Sequence, residues 1–279
     1  MTTRRAPQHG PSPIPAGEGP LQYGSDVTER LPWHQTQALI EKHTGPVITA
    51  RPVSEGFNSE IAVIINDTTF VKGLRTDHPR VWTQERERRI NPHIQNVSAP
   101  LRWSEITGGW DLNGFGFIEG RPASYEASSL DLELIIAMMA HWPPAPDGVE
   151  LKRAEQRWSS YSDKSEMFAG EWLSHTDWSP TNILIGSDKR AYMLDWAWPT
   201  RGARWIDPAC WIVWLIACGH HPAQAQAWAS KIPLFAAPPA DAVTAFAKAQ
   251  AAMWEDIGDH APHPGLAAAA TRWVKHRTT

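Results

Sequence analysis

A chain of 279 residues that is 42% hydrophobic and carries 16 Trp has ample apolar surface for a core, which excludes disorder as its overall state. With 26 Lys+Arg against 30 Asp+Glu the net charge is -4, so nothing draws the chain electrostatically to nucleic acid or to an anionic membrane, and a small-molecule partner is expected. The two cysteines, Cys210 and Cys218, would lie about 12 Å apart along a shared helix, too far for a bridge, which suits a reducing, cytoplasmic setting.

Residues 1–26 hold Arg4, Arg5 and a Pro/Gly-rich stretch without an apolar h-region, the pattern of a flexible tail rather than a secretory signal. Residues 33–43 place Trp33, Ala38, Leu39 and Ile40 on one side of a short helix that stops near Gly45-Pro46. Val53 then leads into the polar turn Ser54-Glu55-Gly56-Phe57-Asn58-Ser59. Residues 61–65 return as a strand, Asn66-Asp67 makes a turn, and residues 68–72 resume the sheet, giving a three-stranded antiparallel meander with Lys72 at its end. Residues 81–90 read as a helix of mixed charge, with Arg75, Arg80, Arg86, Arg88 and Arg89 on a solvated face among Glu85 and Glu87.

Residues 101–103 and 110–118 form two further strands joined at Thr107-Gly108-Gly109, and Glu119-Gly120-Arg121-Pro122 breaks the pattern at a lobe boundary. Beyond it, residues 130–141 have helical periodicity, Pro143-Pro144-Ala145-Pro146 is a rigid connector, and residues 151–173 are expected to supply one or two more helices. The most apolar run, residues 208–219, falls short of the roughly 20 residues a membrane span requires and is expected to be a buried helix. Ala-rich residues 223–230 and 240–257 complete a mainly helical second half.

The chemistry concentrates in His175-Thr176-Asp177-Trp178-Ser179-Pro180-Thr181-Asn182, followed by Met193-Leu194-Asp195-Trp196. One carboxylate can orient an attacking hydroxyl while an amide and a second carboxylate hold magnesium on nucleotide phosphates, the arrangement that metal-assisted phosphoryl transfer needs. Taken singly, Asp177 is an N-cap or turn aspartate, Asn182 a turn residue and Asp195 a salt-bridge partner.

The order of parts is a strand lysine, a helix glutamate, a linker, an Asp-x-x-x-x-Asn loop, a Leu-Asp-Trp and then Ile206-Asp207-Pro208-Ala209. In this the chain resembles the aminoglycoside phosphotransferase family of kinase-like enzymes over roughly residues 45–215. The resemblance implies an α+β, bilobal, protein-kinase-like fold. A tail of residues 1–26 precedes a nucleotide-binding lobe of residues 27–118, an antiparallel sheet with one main helix. Residues 119–279 form a helical lobe with the catalytic loop and acceptor pocket. It implies ATP and Mg2+ as cofactors and transfer of the γ-phosphoryl group to a hydroxyl of a small polar acceptor: an aminoglycoside or other antibiotic, a sugar or an amino alcohol.

By the same resemblance Asp177 is the catalytic aspartate, Asn182 and Asp195 hold the metal, and His175 and Asp207 support the loop, with Asp207 also capping the helix that follows. Lys72 binds phosphates and pairs with Glu87, or with Glu85 as the alternative. Ser54, Gly56, Asn58 and Ser59 cover the phosphates, and Phe117, Ile118 and Glu119 form the hinge that receives adenine, with Ile61 as a neighbour of the ring. Trp-Ala replaces Phe-Gly after Asp195, and no Ala-Pro-Glu follows, which argues against a protein kinase. A catalytically silent nucleotide-binding module is the alternative reading of the same residues.

Trp196, Trp205, Trp211 and Trp214 are expected in the core, and Trp198 faces the acceptor. His220, His221, His260 and His263 lack the companion ligands of a zinc frame. Glu255, Asp256 and Asp259 form an exposed helix face, with attraction of a polyamine-like acceptor as the alternative.

Overall fold

The computed structural model describes residues 33–53 and 59–279. Helix α1 (Trp33–Thr44) ends at Gly45, whose φ of 72° stops a helix without steric cost. Strands β1 (Ala50–Pro52), β2 (Ile61–Ile65) and β3 (Thr69–Arg75) follow, with Asn66 and Asp67 at the positive φ that these side chains tolerate in a tight hairpin. Helix α2 (Trp82–Ile90) leads to β4 (Leu101–Thr107) and β5 (Trp110–Gly116). The five strands make one antiparallel sheet in the order β1-β2-β3-β5-β4.

The expected meander is present, with one correction. β3 runs on to Arg75, so Lys72 lies in mid-strand, paired with Ala62 on one side and Asn113 on the other. Directly paired residues share a face of a sheet. Ile61, Val63, Ile65, Val71 and Leu112 point to one face and close a core with Ile40 of α1 and Trp110. Lys72, Ala62 and Asn113 point to the other, in a row next to the partly buried Ile64, Phe70 and Phe115.

Helix α2 lies on this second face, and it packs there through polar groups. Its buried residues Thr83, Gln84, Glu87 and Ile90 fall at the spacing of one helix face. Asn113 Nδ2 donates to Gln84 Oε1 at 2.8 Å and to the Gln84 carbonyl at 3.1 Å, and Arg88 grips both Asp111 and Asn113 Oδ1. Arg88 is therefore part of the helix-sheet contact and not of a solvated face. These bonds fix the rotation of α2 about its axis, which the sequence leaves open.

The remainder runs through β6 (Gly120–Pro122), α3 (Asp131–Met139), β7 (Lys152–Arg153), α4 (Ala154–Arg157), β8 (Trp172–Ser174), β9 (Ile183–Gly186), β10 (Ala191–Met193) and β11 (Thr200–Gly202). Helices α5 (Ile206–Ala217), α6 (Pro222–Ser230), α7 (Ala240–Ile257) and α8 (Leu266–Thr278) complete it. Two small sheets, β10-β9-β6 and β7-β11-β8, carry the loops between them. Helix α5 is apolar all round and buried from Ile206 to Ile216, as the run of residues 208–219 predicts. It is the centre of a large core that includes Trp158, Phe168, Trp178, Trp196, Trp205, Phe246 and Trp273.

Residues 151–173 depart from expectation. They form β7, the single turn α4, a short 3-10 turn at Ser165–Phe168, and β8. Both ends of the stretch are recruited by β11, which pairs in parallel with β7 and antiparallel with β8. Between them, Ser159 and Ser162 side chains bond to nearby backbone, the competition that disfavours a continuous helix.

Gly202 closes β11 where α4 and α5 meet, and a Cβ there would stand 2.6 Å from Ala154 Cβ and 2.7 Å from Ile206 Cδ1. Gly202→Ala is therefore expected to destabilise the fold by about 1–3 kcal/mol. Thermal unfolding should show a fall in Tm of several degrees, and an unchanged Tm would refute this account of the packing.

Candidate active site

Strand β8 delivers His175, Thr176 and Asp177 into the cleft side of its sheet. Thr176 holds φ at 72°, a conformation that β-branched residues seldom adopt. The force that keeps it there is Asp207, in the first turn of α5 and only 1% exposed. Its carboxylate accepts the backbone N–H of His175 at 2.8 Å, the N–H of Thr176 at 2.9 Å and the indole N–H of Trp178 at 2.9 Å. Burial pushes the Asp207 carboxyl up, and the three donors oppose it. The expected bonds from Asp207 to the loop are present. The expected helix cap is not, because both oxygens are spent on the loop and α5 begins one residue earlier, at Ile206, without a side-chain cap. Trp178, which the sequence reading passed over, is fully buried and extends this anchor, its carbonyl taking the Tyr125 hydroxyl at 2.9 Å.

His175 ties the two acidic segments together. Its Nε2 lies 2.9 Å from the Leu194 carbonyl and 3.0 Å from that of Asp195, while its Nδ1 lies 3.3 Å from the Asp177 N–H. Two carbonyls at one nitrogen and an N–H at the other assign the proton to Nε2. The Leu194 N–H donates to the Asn182 carbonyl at 2.8 Å, a second cross-link between the same segments. Asp195 has φ of 60°, which aspartate accepts more readily than most residues.

Asp177 is partly buried and receives the Ser179 N–H at 3.2 Å. Burial raises its carboxyl above the ordinary value, the Ser179 and Asn182 donors oppose this, and the nearby Asp195 charge adds to it. The Asn182 amide turns its Nδ2 toward the Asp177 carbonyl at 3.5 Å, and its Oδ1 has no hydrogen-bond partner among the described residues. Asn182 Oδ1 and the Asp195 carboxylate are hard oxygen donors suited to magnesium, which completes its shell with phosphate and water oxygens. No cluster of three or more His, Cys, Asp or Glu that would hold a metal by itself occurs among the described residues.

Lys72 Nζ meets Glu87 Oε1 at 3.0 Å and Asp195 Oδ1 at 2.6 Å. Burial by itself would depress this ammonium, but the two carboxylates outweigh it and hold it above its ordinary value. Glu87 is raised by burial, with the Lys72 charge opposing. The choice between Glu87 and Glu85 is thereby made, since Glu85 faces solvent and pairs with Arg89 at 2.6 Å.

At the hinge, the Phe117 N–H donates to Thr68 and the Glu119 carbonyl accepts from Ser187, whereas the backbone N–H and C=O of Ile118 have no partner among the described residues. Ile61 points away from this side, into the sheet core, so it does not neighbour a ring bound there. Ala62, Ile64 and Phe70 lie on the Lys72 face and were missed from sequence; alternation within β3 about Lys72 was the available signal for Phe70, whereas Ala62 and Ile64 follow only from the pairing of β2 with β3. Ser59 is partly buried two residues before β2, while Ser54, Gly56 and Asn58 lie outside the described residues. Trp198 is partly exposed and meets Trp82 of α2 edge-on, ring centroids 4.8 Å apart. Trp196, Trp205, Trp211 and Trp214 are core, as expected. His220 is buried with Nε2 at the Tyr125 carbonyl, and Glu255, Asp256 and Asp259 are exposed.

No protein-family model matches the sequence, and no curated protein sequence matches it. Solved structures do match in shape. The choline kinase LicA from Streptococcus pneumoniae in complex with AMP superposes with a TM-score of 0.59 at 11% identity, over 91% of this chain and all of its own. The AMP-bound spectinomycin phosphotransferase APH(9)-Ia gives a TM-score of 0.55 at 11% identity, over 87% of this chain and 94% of its own. A streptomycin-ATP complex of APH(2")-IIa gives 0.53 at 14% identity, over 85% and 91%. With its antiparallel sheet, helix α2 packed on the Lys72 face and mainly helical remainder, the chain has the α+β kinase-like fold of the choline kinase and aminoglycoside phosphotransferase structures.

Proposed function

We propose that the chain is an ATP- and Mg2+-dependent phosphotransferase that moves the γ-phosphoryl group to a hydroxyl of a small polar acceptor. One observation carries this reading. Asp177, Asn182 and Asp195 converge through the His175 and Leu194 bonds, and Lys72 reaches the same point from the sheet. In this reading residues 27–118 are the nucleotide lobe and residues 119–279 carry the catalytic loop and the acceptor.

Asp177 accepts the proton of the acceptor hydroxyl as the new O–P bond forms and the bond from the γ-phosphorus to its bridging oxygen breaks, releasing ADP. Lys72, fixed by Glu87, offers a compact charge to the phosphates. The Ile118 N–H and C=O, unpartnered among the described residues, suit the edge of a purine, with Phe70, Ile64 and Ala62 as apolar cover and Phe117 and Glu119 as flanking backbone. Ser59, with Ser54, Gly56 and Asn58, covers the phosphates. Asn182 and Asp195 would hold magnesium, which when bound draws charge from the phosphate oxygens.

Mg-ATP at about 100 times its dissociation constant is expected to add roughly 2.7 kcal/mol of stability. In a chain of this size that is a rise in Tm of roughly 5–10 °C. The rise should need magnesium and vanish in Asp195→Ala; no rise at saturating nucleotide would overturn the proposal.

Asp177→Asn is expected to lower turnover by about 100-fold or more with nucleotide affinity retained, and near wild-type turnover would sink the mechanism. Because Asp177 works as the carboxylate and burial raises its carboxyl above the ordinary 3.8, kcat should climb with pH through a value above 3.8. A pH-rate profile at saturating substrates, compared with the residual rate of Asp177→Asn, reads that limb directly.

A further inference from the structure

The phosphotransferase reading leaves the acceptor open, and this inference rests on that reading. Next to the Asp177 loop lie the β7-β11-β8 sheet, whose β8 runs directly into that loop, and the segment that carries Trp198. In register across the sheet, Lys152, Thr200 and Ser174 form one row, with Asp177 three residues beyond Ser174. The next row, Arg153 and Arg201, points to the opposite face.

The two faces differ in how their cations are matched. On the far face Arg153 pairs with Glu155, and Arg201 pairs with Glu171 at 2.6 Å. On the near face Lys152 is partly buried, and its ammonium has no ion pair or hydrogen bond among the described residues. Arg157, at the end of α4, turns one guanidinium nitrogen to Thr200 Oγ1 at 3.5 Å and likewise has no carboxylate within ion-pair distance among the described residues. The Thr200 hydroxyl in turn donates to the Trp198 carbonyl at 3.1 Å.

Arg86 reaches the same region from α2. Its guanidinium lies 4.3 Å from the Trp82 ring centroid and 6.0 Å from that of Trp198, and no carboxylate pairs with it among the described residues. The sequence reading placed Arg86 on a solvated face; the two indoles show otherwise. The three cations are near enough to feel one another. Burial holds Lys152 below its ordinary value, with Arg157 and Arg86 adding to the effect. Arg157 is likewise lowered by burial, offset by Cys210, Asp177 and Asp207 and reinforced by Arg86. The exposed Glu150 acts on Arg86 only at a distance.

Three close cations with no carboxylate in ion-pair contact among the described residues, beside two accessible indoles and near Asp177, are costly to assemble unless an anion neutralises them. We propose that Arg86, Lys152 and Arg157 form an anion-recognising acceptor subsite, so that the acceptor is a hydroxylated compound bearing a carboxylate or phosphate group, its body resting against Trp82 and Trp198. Guanidinium groups suit either anion, and aromatic faces suit a planar or apolar body. A quaternary ammonium such as choline, or a polycationic aminoglycoside, would meet like charge there and be rejected.

The test is ADP release from Mg-ATP with matched acceptors: glycerol against glycerate and glycerol phosphate, glucose against gluconate and glucose phosphate, and choline and kanamycin as cations. The anionic members should exceed their neutral counterparts at least tenfold in kcat/KM and the cations further still. Arg86→Gln and Lys152→Gln, each checked for an unchanged Tm, should raise KM for the anion tenfold or more with a smaller change in kcat, and the carboxylate and phosphate members separate the two anion sources. Stabilisation by Mg-ATP together with equal or better use of neutral or cationic acceptors, or with no use of any anionic one, overturns the anionic subsite alone. Absence of both stabilisation by Mg-ATP and ADP release with any acceptor overturns the phosphotransferase reading and this inference with it.

Discussion

One buried ammonium joins the parts of this protein that come from distant stretches of sequence. Lys72 stands in the middle of the five-stranded sheet, Glu87 on the helix packed against that sheet, and Asp195 on the segment held by His175. Burying charge is expensive, and a buried ion pair is weak support for stability by itself. What the lysine supplies here is position. It can satisfy both carboxylates only if β3, α2 and the Asp195 segment take one mutual arrangement. Two carboxylates around one ammonium also leave an excess of negative charge, and with Asp177 close by, that excess favours a cation at the same point.

The helix that supports this arrangement shows why its charges look excessive in sequence. Nine residues of α2 include two glutamates and three arginines, which reads as a solvent-facing segment. In the fold each of these charges has a separate direction. Glu87 goes to Lys72, Arg88 to Asp111 and Asn113, Glu85 to Arg89 at the surface, and Arg86 to the two indoles. A polar buried face is acceptable because Glu87, Arg88 and the Gln84 oxygens find partners on the sheet, and those partners define the rotation of the helix more sharply than apolar contacts would.

The meeting of Asp177, Asn182 and Asp195 was legible because these residues are local: their spacing needs only one loop and the strand after it. Strands β2, β3 and β5 and helices α5 and α7 were legible from period and apolar content. Which face of β2 lines the cleft was not. Alternation separates Ile61 from Ala62 but does not say which row holds the lysine, and that depends on pairing with β3. Residues 151–173 were misread for a related reason, since strands of two and three residues exist only by virtue of the distant β11. Local signals there are those of single turns. Arg86, Lys152 and Arg157 have no shared signature, because α2, β7 and α4 meet only in the folded chain.

Asp207 binds the loop of residues 175–177 to α5, and α5 is buried from Ile206 to Ile216. The loop is thus fastened to a buried helix, the kind of element that opens only with the core, whereas many surface loops fluctuate independently of the core beneath them. Thr176 cannot relax from its uncommon φ while α5 stays in place. Unfolding of the Asp177 loop and loss of the core should therefore form one cooperative event, with no stage at which an intact core carries a disordered loop.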